Sequence, residues 1–339
     1  MRSVIFDCGG EPSDVLTVRE LPLPVIQPGE VLVQMRASPI NPSDLYFIRG
    51  VYTQKPKYPA VPGFEGMGIV TQGTGSLLAK FLVGKRVAVI GGEQGHWREF
   101  TVAKARQVIP VSRDLSDEVA AMFFVNPATA LMLIESVLKV PRGGWVMQSA
   151  ANSALGRMVI RLGKYLGFHT LNLVRRDNSV DELRALGGDA VVAFDPERHS
   201  VEELQQQVHQ HTGLREIPFA MDCVGGKTGE AMLACLGRRG HLVVSGTLSH
   251  EPIPLSSRQL IQTGARISGF WLSQAMQEAG LLTKLRLVRR IAKLLRAGVL
   301  TTEVSRRFSL EKVVEGIQAA EQPGRRGKIL LTMGESPSS

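Results

Sequence analysis

The stretch that most constrains this chain is GGWVMQSAANSALGRMVIRLGKYLGFHTLNLVRRD. It reads as a strand over 145–148, a tight turn over 149–153, a helix over 154–166 and a second strand over 170–174. A strand–helix–strand run of this kind builds a parallel sheet with the helix laid across it. The turn carries Ser149, Ala150, Ala151 and Ser153, small enough for backbone N–H groups to approach a pyrophosphate at the helix N-terminus. Gly156 on the first helical turn permits close packing, and Leu155, Val159 and Leu162 supply the buried stripe. The first two glycines of the usual GxGxxG are replaced, so the turn by itself is weak evidence, the alternative being an ordinary βαβ unit with a small-residue turn. The end of the second strand says more. An NAD site places Asp or Glu there for the ribose hydroxyls; here Arg175 and Arg176 stand in that place, followed by Asp177. A guanidinium pair suits a 2′-phosphate and points to NADPH, the alternative being two solvated surface arginines.

The rest of the chain is organised around this unit. At 339 residues two domains are expected. The first 110 or so residues are rich in Gly, Pro and short apolar runs such as GEVLVQMRASPI, GMGIVTQG and GKRVAVIGG, as in a β-rich, barrel-like domain. From about Ser116 a helical stretch, DEVAAMFFVNPATALMLIESVL, leads into alternation with GWVMQSA, FHTLNLVR, DAVVAF, FAMDCVG and GHLVVSG. After about Thr301, RRFSLEKVVEGIQAAEQPGRRGKILLTM offers a helix and a final strand, expected to return to the first domain. The fold class is therefore α/β, a doubly wound parallel sheet over 118–301 inside a split β-rich domain (1–117 and 302–339). Glu335 to Ser339 form a short low-complexity tail.

Composition excludes several classes. Hydrophobic residues make up 44% and charged residues 21%, which is globular. No apolar run is long enough to span a bilayer, and the start lacks the features of a secretory leader or transit peptide; a cytoplasmic protein with no membrane partner is expected. Cys8, Cys223 and Cys235 are scattered and odd in number, which fits neither a disulfide framework nor a zinc cluster. The net charge of +9 is compatible with nucleic acid, an acidic protein or phosphorylated small molecules. Aromatics at 6% with no stacking platform speak against nucleic acid. In LLTKLRLVRRIAKLLRAGVL, Lys284, Arg286, Arg289, Arg290, Lys293 and Arg296 lie largely opposite the leucines, a solvated face or a dock for an acidic acyl carrier protein or coenzyme A phosphates.

Taken together, NPSDLYFIRGVY, PAVPGFEGMGIV, QSAANSALG, MDCVGGKTGEAML and SGFWLSQ resemble the zinc-independent medium-chain dehydrogenases/reductases, above all the mitochondrial-type trans-2-enoyl-thioester reductases, with quinone oxidoreductases further off. The resemblance runs from about Met1 to Met333. It implies a GroES-like catalytic domain beside a Rossmann domain, and a homodimer. It implies that Tyr52 is the proton donor. It implies cofactor contacts at Asn126, at Asn152, Ser153, Ala154 and Leu155, and at Arg175, Arg176 and Asp177. Further contacts are implied at Ser245, Gly246, Thr247 and Leu248, at Phe270, Trp271, Leu272 and Ser273, and at Lys328. Ser245 and Thr247 depart from the tyrosine and glycine usual in the mitochondrial-type enzymes, which alters the pocket expected beside the nicotinamide.

Zinc-dependent relatives use a GHE segment and a Cys before the NPSD region. The corresponding words here are Gly63-Phe64-Glu65 and Ala37-Ser38-Pro39, so no metal is expected; His96, beside Trp97, reads as a surface or packed histidine. Carbonyl reduction benefits from a Lewis acid. Hydride addition to a conjugated C=C needs only hydrogen bonds to the developing enolate and one proton donor. Tyr52 suits that donation, since a phenol of ordinary pKa near 10 is protonated at neutral pH. Tyr46 is the rival donor, Asn41 a polar orienter of substrate or of Tyr52, and Asp44 a cap for the helix that follows. The leading expectation is enoyl-thioester reduction, the alternatives a quinone or other α,β-unsaturated carbonyl reductase and, last, a non-catalytic NADPH-binding protein.

Overall fold

Two patterns of burial separate two units. The computed structural model describes residues 1–91 and 95–334, and the chain divides into Met1–Val125 with the segment from Thr301, and Asn126–Leu300. Glu335 to Ser339, read as a low-complexity tail, lie outside the described residues.

The first unit is β-rich. In chain order its strands are β1 (Arg2–Ile5), β2 (Thr17–Glu20), β3 (Glu30–Pro39), β4 (Glu65–Gly73), β5 (Arg86–Ile90), β6 (Phe100–Lys104) and β7 (Ile109–Pro110). β1 and β2 form an antiparallel pair, and β3 lies between β4 and β6 in antiparallel register. β3 is buried along most of both faces, which its near-continuous apolar run EVLVQM requires. Phe6, Val31, Val33, Met35, Ile48 and Trp97 anchor the core here. His96 is packed, 2% exposed, with burial pushing its pKa down to about 4.

The second unit holds β8 (Trp145–Gln148), β9 (His169–Val174), β10 (Ala190–Ala193), β11 (Ile217–Asp222), β12 (Leu236–Val244) and β13 (Arg266–Gly269), all parallel, in the order β10-β9-β8-β11-β12-β13. β9 is buried over Thr170 to Val174, as a central parallel strand covered on both faces must be. The order reverses between β8 and β11, and in open α/β sheets ligands bind outside the carboxyl ends of the strands at such a switch.

The chain then returns to the first unit with β14 (Val304–Ser309) and β15 (Lys328–Thr332). β15 pairs antiparallel with β3, Leu331 opposite Ser38. The division between units falls after Val125 rather than after residue 117. The short helix Asp117–Ala121 packs on β3 and β4, Arg86 pairs with Asp117 at 2.6 Å, and Arg307 pairs with Glu118. The basic helix Leu281–Arg296 also departs from expectation. Ile291, Leu294 and Leu295 are buried, but Leu281, Leu282 and Leu285 on its first turns are exposed, and Arg290 pairs with Glu135 at 2.9 Å. Among the described residues no helix is long and apolar enough to cross a membrane.

Candidate active site

In the parallel-sheet unit the turn after β8 is built from small side chains. Ala150 takes the left-handed conformation, φ 48°, where the glycine of a standard motif would sit without strain. Ser153 caps the helix Ala154–Leu166, its hydroxyl accepting the Gly156 N–H at 3.1 Å. Ser153 O takes the N–H of Arg157, so Ala154 and Leu155 are left as N–H groups with no acceptor inside the helix. A Cβ on Gly156 would lie 2.5 Å from Ala151 O and 2.6 Å from Ala151 Cα. The glycine thus makes room for the turn's own backbone. These features fit a pyrophosphate cradle. Leu155 is only half-buried; the packed stripe runs through Met158, Val159 and Leu162.

Two groups in this cradle escape sequence inspection. Asp222 at the end of β11 is fully buried. Its carboxylate accepts the Ser149 hydroxyl at 2.6 Å and the N–H groups of Val224 and Gly225 at 2.8 and 2.9 Å. Ser149 Oγ in turn accepts the Cys223 N–H at 2.9 Å, which locks the ends of β8 and β11 together at the switch point. Arg157 reaches back to Asn152 Oδ1 at 2.6 Å and across to Glu182 at 2.8 Å. The only sequence signals were an Asp ending the apolar run FAMD and an Arg just after the turn.

The other proposed cofactor residues of this unit, Asn126 apart, follow the carboxyl ends of neighbouring strands. Arg175, Arg176 and Asp177 are exposed after β9, and Arg175 Nε lies 3.6 Å from Asp195. Ser245 to Leu248 follow β12 and fold onto the loop after β11. Ser245 N–H donates to Asp222 O at 2.8 Å, Leu248 N–H donates to Cys223 O at 3.1 Å, and a Cβ on Gly246 would meet Cys223 O at 2.7 Å. Thr247 O accepts the His250 N–H. Phe270, Trp271, Leu272 and Ser273 follow β13, with Phe270 N–H bound to Val244 O and Trp271 capping the next helix. Asn126 stands instead in the helix Val125–Leu131, half-buried.

In the β-rich unit the structure groups Asn41, Asp44, Glu65 and Lys328, drawn from three separate segments and all under 5% exposed. Asn41 opens the helix Pro42–Ile48. Its N–H donates to Asp44 at 2.7 Å, its amide nitrogen to Glu65 Oε1 at 3.0 Å, and its Oδ1 accepts from Lys328 Nζ, which also donates to Ile40 O at 3.4 Å. Glu65 Oε2 takes the Val125 N–H at 3.0 Å, and Asp44 takes the Phe64 N–H at 2.9 Å. Burial dominates the titration of all three charged groups. It pushes Asp44 up to about 7, raises Glu65 and pushes Lys328 down to about 8. Asn41 was expected to orient the substrate or Tyr52; its amide is enclosed between Lys328 and Glu65. The ammonium of Lys328, expected on the cofactor, is engaged within this cluster. Asp44 does cap the helix.

Tyr52 lies just beyond that helix and is half-buried. Its N–H donates to Tyr46 O at 3.0 Å, and its ring lies 5.3 Å from that of Phe64, tilted by 41°. Phe64 meets Phe47 edge-on at 5.3 Å. The residue standing where zinc-dependent relatives have a histidine ligand therefore forms the aromatic wall behind Tyr52. Among the described residues no group of three or more His, Cys, Asp or Glu is placed to hold a metal ion.

Comparison with known proteins agrees with this layout. The alcohol dehydrogenase GroES-like domain family matches residues 27–113, and the zinc-binding dehydrogenase family matches residues 154–286, a segment wholly inside the parallel-sheet unit. The human mitochondrial enoyl-[acyl-carrier-protein] reductase is 30% identical over 98% of this chain and 89% of its own length. The chain belongs to the medium-chain dehydrogenase/reductase superfamily. It is an oxidoreductase that uses a nicotinamide cofactor. The Caenorhabditis elegans mitochondrial enoyl-[acyl-carrier-protein] reductase is 37% identical over 72% of this chain and 69% of its own. Among solved structures, a Bacillus thuringiensis protein assigned as an NADPH:quinone reductase superimposes with TM-score 0.90 at 28% identity, covering 98% of this chain and 99% of its own. The mitochondrial 2-enoyl thioester reductase heterodimer of Candida tropicalis does so with TM-score 0.85 at 26% identity, covering 98% and 99%.

Proposed function

We propose that this oxidoreductase uses NADPH to reduce the conjugated C=C bond of a trans-2-enoyl thioester, with Tyr52 as proton donor. Bound nicotinamide supplies a hydride to the β-carbon. Tyr52 gives its phenolic proton to the α-carbon and recovers one from solvent, so a single C=C becomes a C–C with two new C–H bonds. The observation that carries the reading is the contrast between the two candidate polar groups of the β-rich unit. Asn41 is spent on Lys328 and Glu65, whereas Tyr52 is a half-buried phenol steadied against Phe64. Similarity to enoyl reductases along nearly the whole chain supports the substrate class.

NADPH is preferred over NADH because Arg175 and Arg176 stand exposed where an acidic residue would accept the ribose hydroxyls. Asn152, Ser153, Ala154 and Leu155 hold the pyrophosphate. Ser245 to Leu248, Phe270 to Ser273 and Asn126 line the nicotinamide side. The substrate carrier is an acidic acyl carrier protein or coenzyme A, met by the exposed cations of the helix Leu281–Arg296. The free edge of β13 and the exposed Leu281, Leu282 and Leu285 support a homodimer.

A second reading, reduction of a quinone, is favoured by the likeness to the Bacillus thuringiensis protein. Tyr52→Phe separates the two. Loss of the proton donor should lower kcat with a crotonyl thioester by roughly 100-fold or more and leave quinone turnover, where solvent supplies protons, near the original rate. Undiminished crotonyl-thioester turnover would remove Tyr52 from the mechanism.

A further inference from the structure

The helix Leu77–Leu82 turns its apolar side chains outward. Only Ala79 and Leu82 reach the core, whereas Leu77, Leu78 and Phe81 are 89%, 48% and 67% exposed. Val83 follows, exposed as well. A surface helix of a globular domain ordinarily presents polar groups there. The neighbouring segment 22–29 is stitched alongside. Gly29 N–H donates to Thr74 O at 2.7 Å, and a Cβ on Gly75 would fall 2.4 Å from Pro28. That segment carries Leu23 and the strongly exposed Val25.

Cations predominate at this end of the sheet, where Asp117 is taken up by Arg86 at 2.6 Å. Val31 pairs with Gly73, Glu30 with Lys104 and Ile69 with Arg86, so the start of β3, the end of β4, the start of β5 and the end of β6 all lie here. Lys85 precedes β5, Lys104 ends β6, Arg106 follows it, and Lys80 stands on the helix that joins β4 to β5. From Gly66 to Gly91 the sequence contains no carboxylate. Glu30, at the start of β3 and opposite Lys104, accepts the Gln27 N–H at its Oε2, 2.8 Å away. Lys85 Nζ sits 5.1 Å over the Phe81 ring.

We propose that this end of the β-rich unit is an interfacial anchor that docks on an anionic lipid surface. Exposure as complete as that of Leu77 and Phe81 means side chains that stand proud of the surface. A fluid bilayer receives such projections without a preformed socket, which a protein partner would have to supply. Leucines and phenylalanine enter the acyl boundary while the ammonium and guanidinium groups meet acidic headgroups. Docking is reversible, since the anchor is short.

The test is co-sedimentation of the full chain with phosphatidylcholine vesicles and with vesicles containing phosphatidylglycerol. The anionic vesicles should retain the protein at least about tenfold better, and raised salt should release it. Leu77→Glu with Phe81→Glu, and separately Lys80→Glu with Lys85→Glu, should each weaken retention about tenfold or more. Turnover of a soluble crotonyl thioester, or of a quinone if that is the substrate, should stay unchanged and shows that the variants are folded. Equal or absent retention on the two vesicle types would overturn the proposal. So would retention indifferent to the substitutions, or a halved solution mass in the Leu77→Glu/Phe81→Glu variant, which would assign the face to a second copy of the chain.

Discussion

Replacing Lys328 with methionine keeps the length of the side chain and removes its charge from the cluster that supports the helix Pro42–Ile48. The side chain is 4% exposed, and its ammonium is the cation facing both Glu65 and Asp44. Removing one partner from a buried ionic group costs about 3–5 kcal/mol, and a domain of this size class loses roughly 2–4 °C per kcal/mol, so Tm should fall by on the order of 10 °C. The pH dependence fixes the sign. Asp44, raised from 3.8 to about 7, contributes stability that is full below its unfolded pKa and is lost as pH rises through 7. Lys328, lowered from 10.5 to about 8, contributes in the opposite sense, present at alkaline pH and lost as pH falls through 8. Without Lys328, Asp44 and Glu65 are held still more strongly in their protonated forms, so the deficit should be greater near pH ~8 than near pH ~5. Thermal denaturation followed by circular dichroism at both pH values measures this. A loss below about 1 kcal/mol, the value of an exposed pair, or a deficit that ignores pH, would refute the ionic coupling.

Two further substitutions probe the cofactor half. Arg175→Ala with Arg176→Ala should lower kcat/KM for NADPH by roughly 10- to 100-fold, the worth of charge-assisted hydrogen bonds, and leave NADH kinetics nearly unchanged; steady-state kinetics with both nucleotides checks it. Gly156→Ala forces a Cβ to within 2.5 Å of Ala151 O; it should cost about 1–3 kcal/mol by overpacking and weaken NADPH binding, read as a smaller rise in Tm on adding the nucleotide.

Much of the cofactor half was legible because its information is local. The run from Trp145 to Val174 carries its own strand period, small-residue turn, capping serine and glycine, and the structure follows it with β9 beginning at His169, one residue early. What was not legible depends on residues that meet only in three dimensions. Asn41, Glu65 and Lys328 come from three distant segments, so Asn41 looked like a free polar group and Lys328 like a ligand for the cofactor alone. Asp222 gave no sign that Ser149 would find it. β13 was passed over because RISG, exposed at both ends, has too few apolar residues for a periodic signal. The break after Val125 was missed because the helix Asp117–Ala121 looks like the start of the next domain, and only its packing on β3 and β4 assigns it otherwise.

Loss of reduced-nicotinamide absorbance with crotonyl-CoA, a longer enoyl-CoA and a simple quinone as separate acceptors tests most directly whether this chain reduces an enoyl thioester with NADPH. Strong turnover of the enoyl thioesters with NADPH and much weaker turnover with NADH is the expected result. Turnover of the quinone alone would contradict it and leave Tyr52 without its role as proton donor.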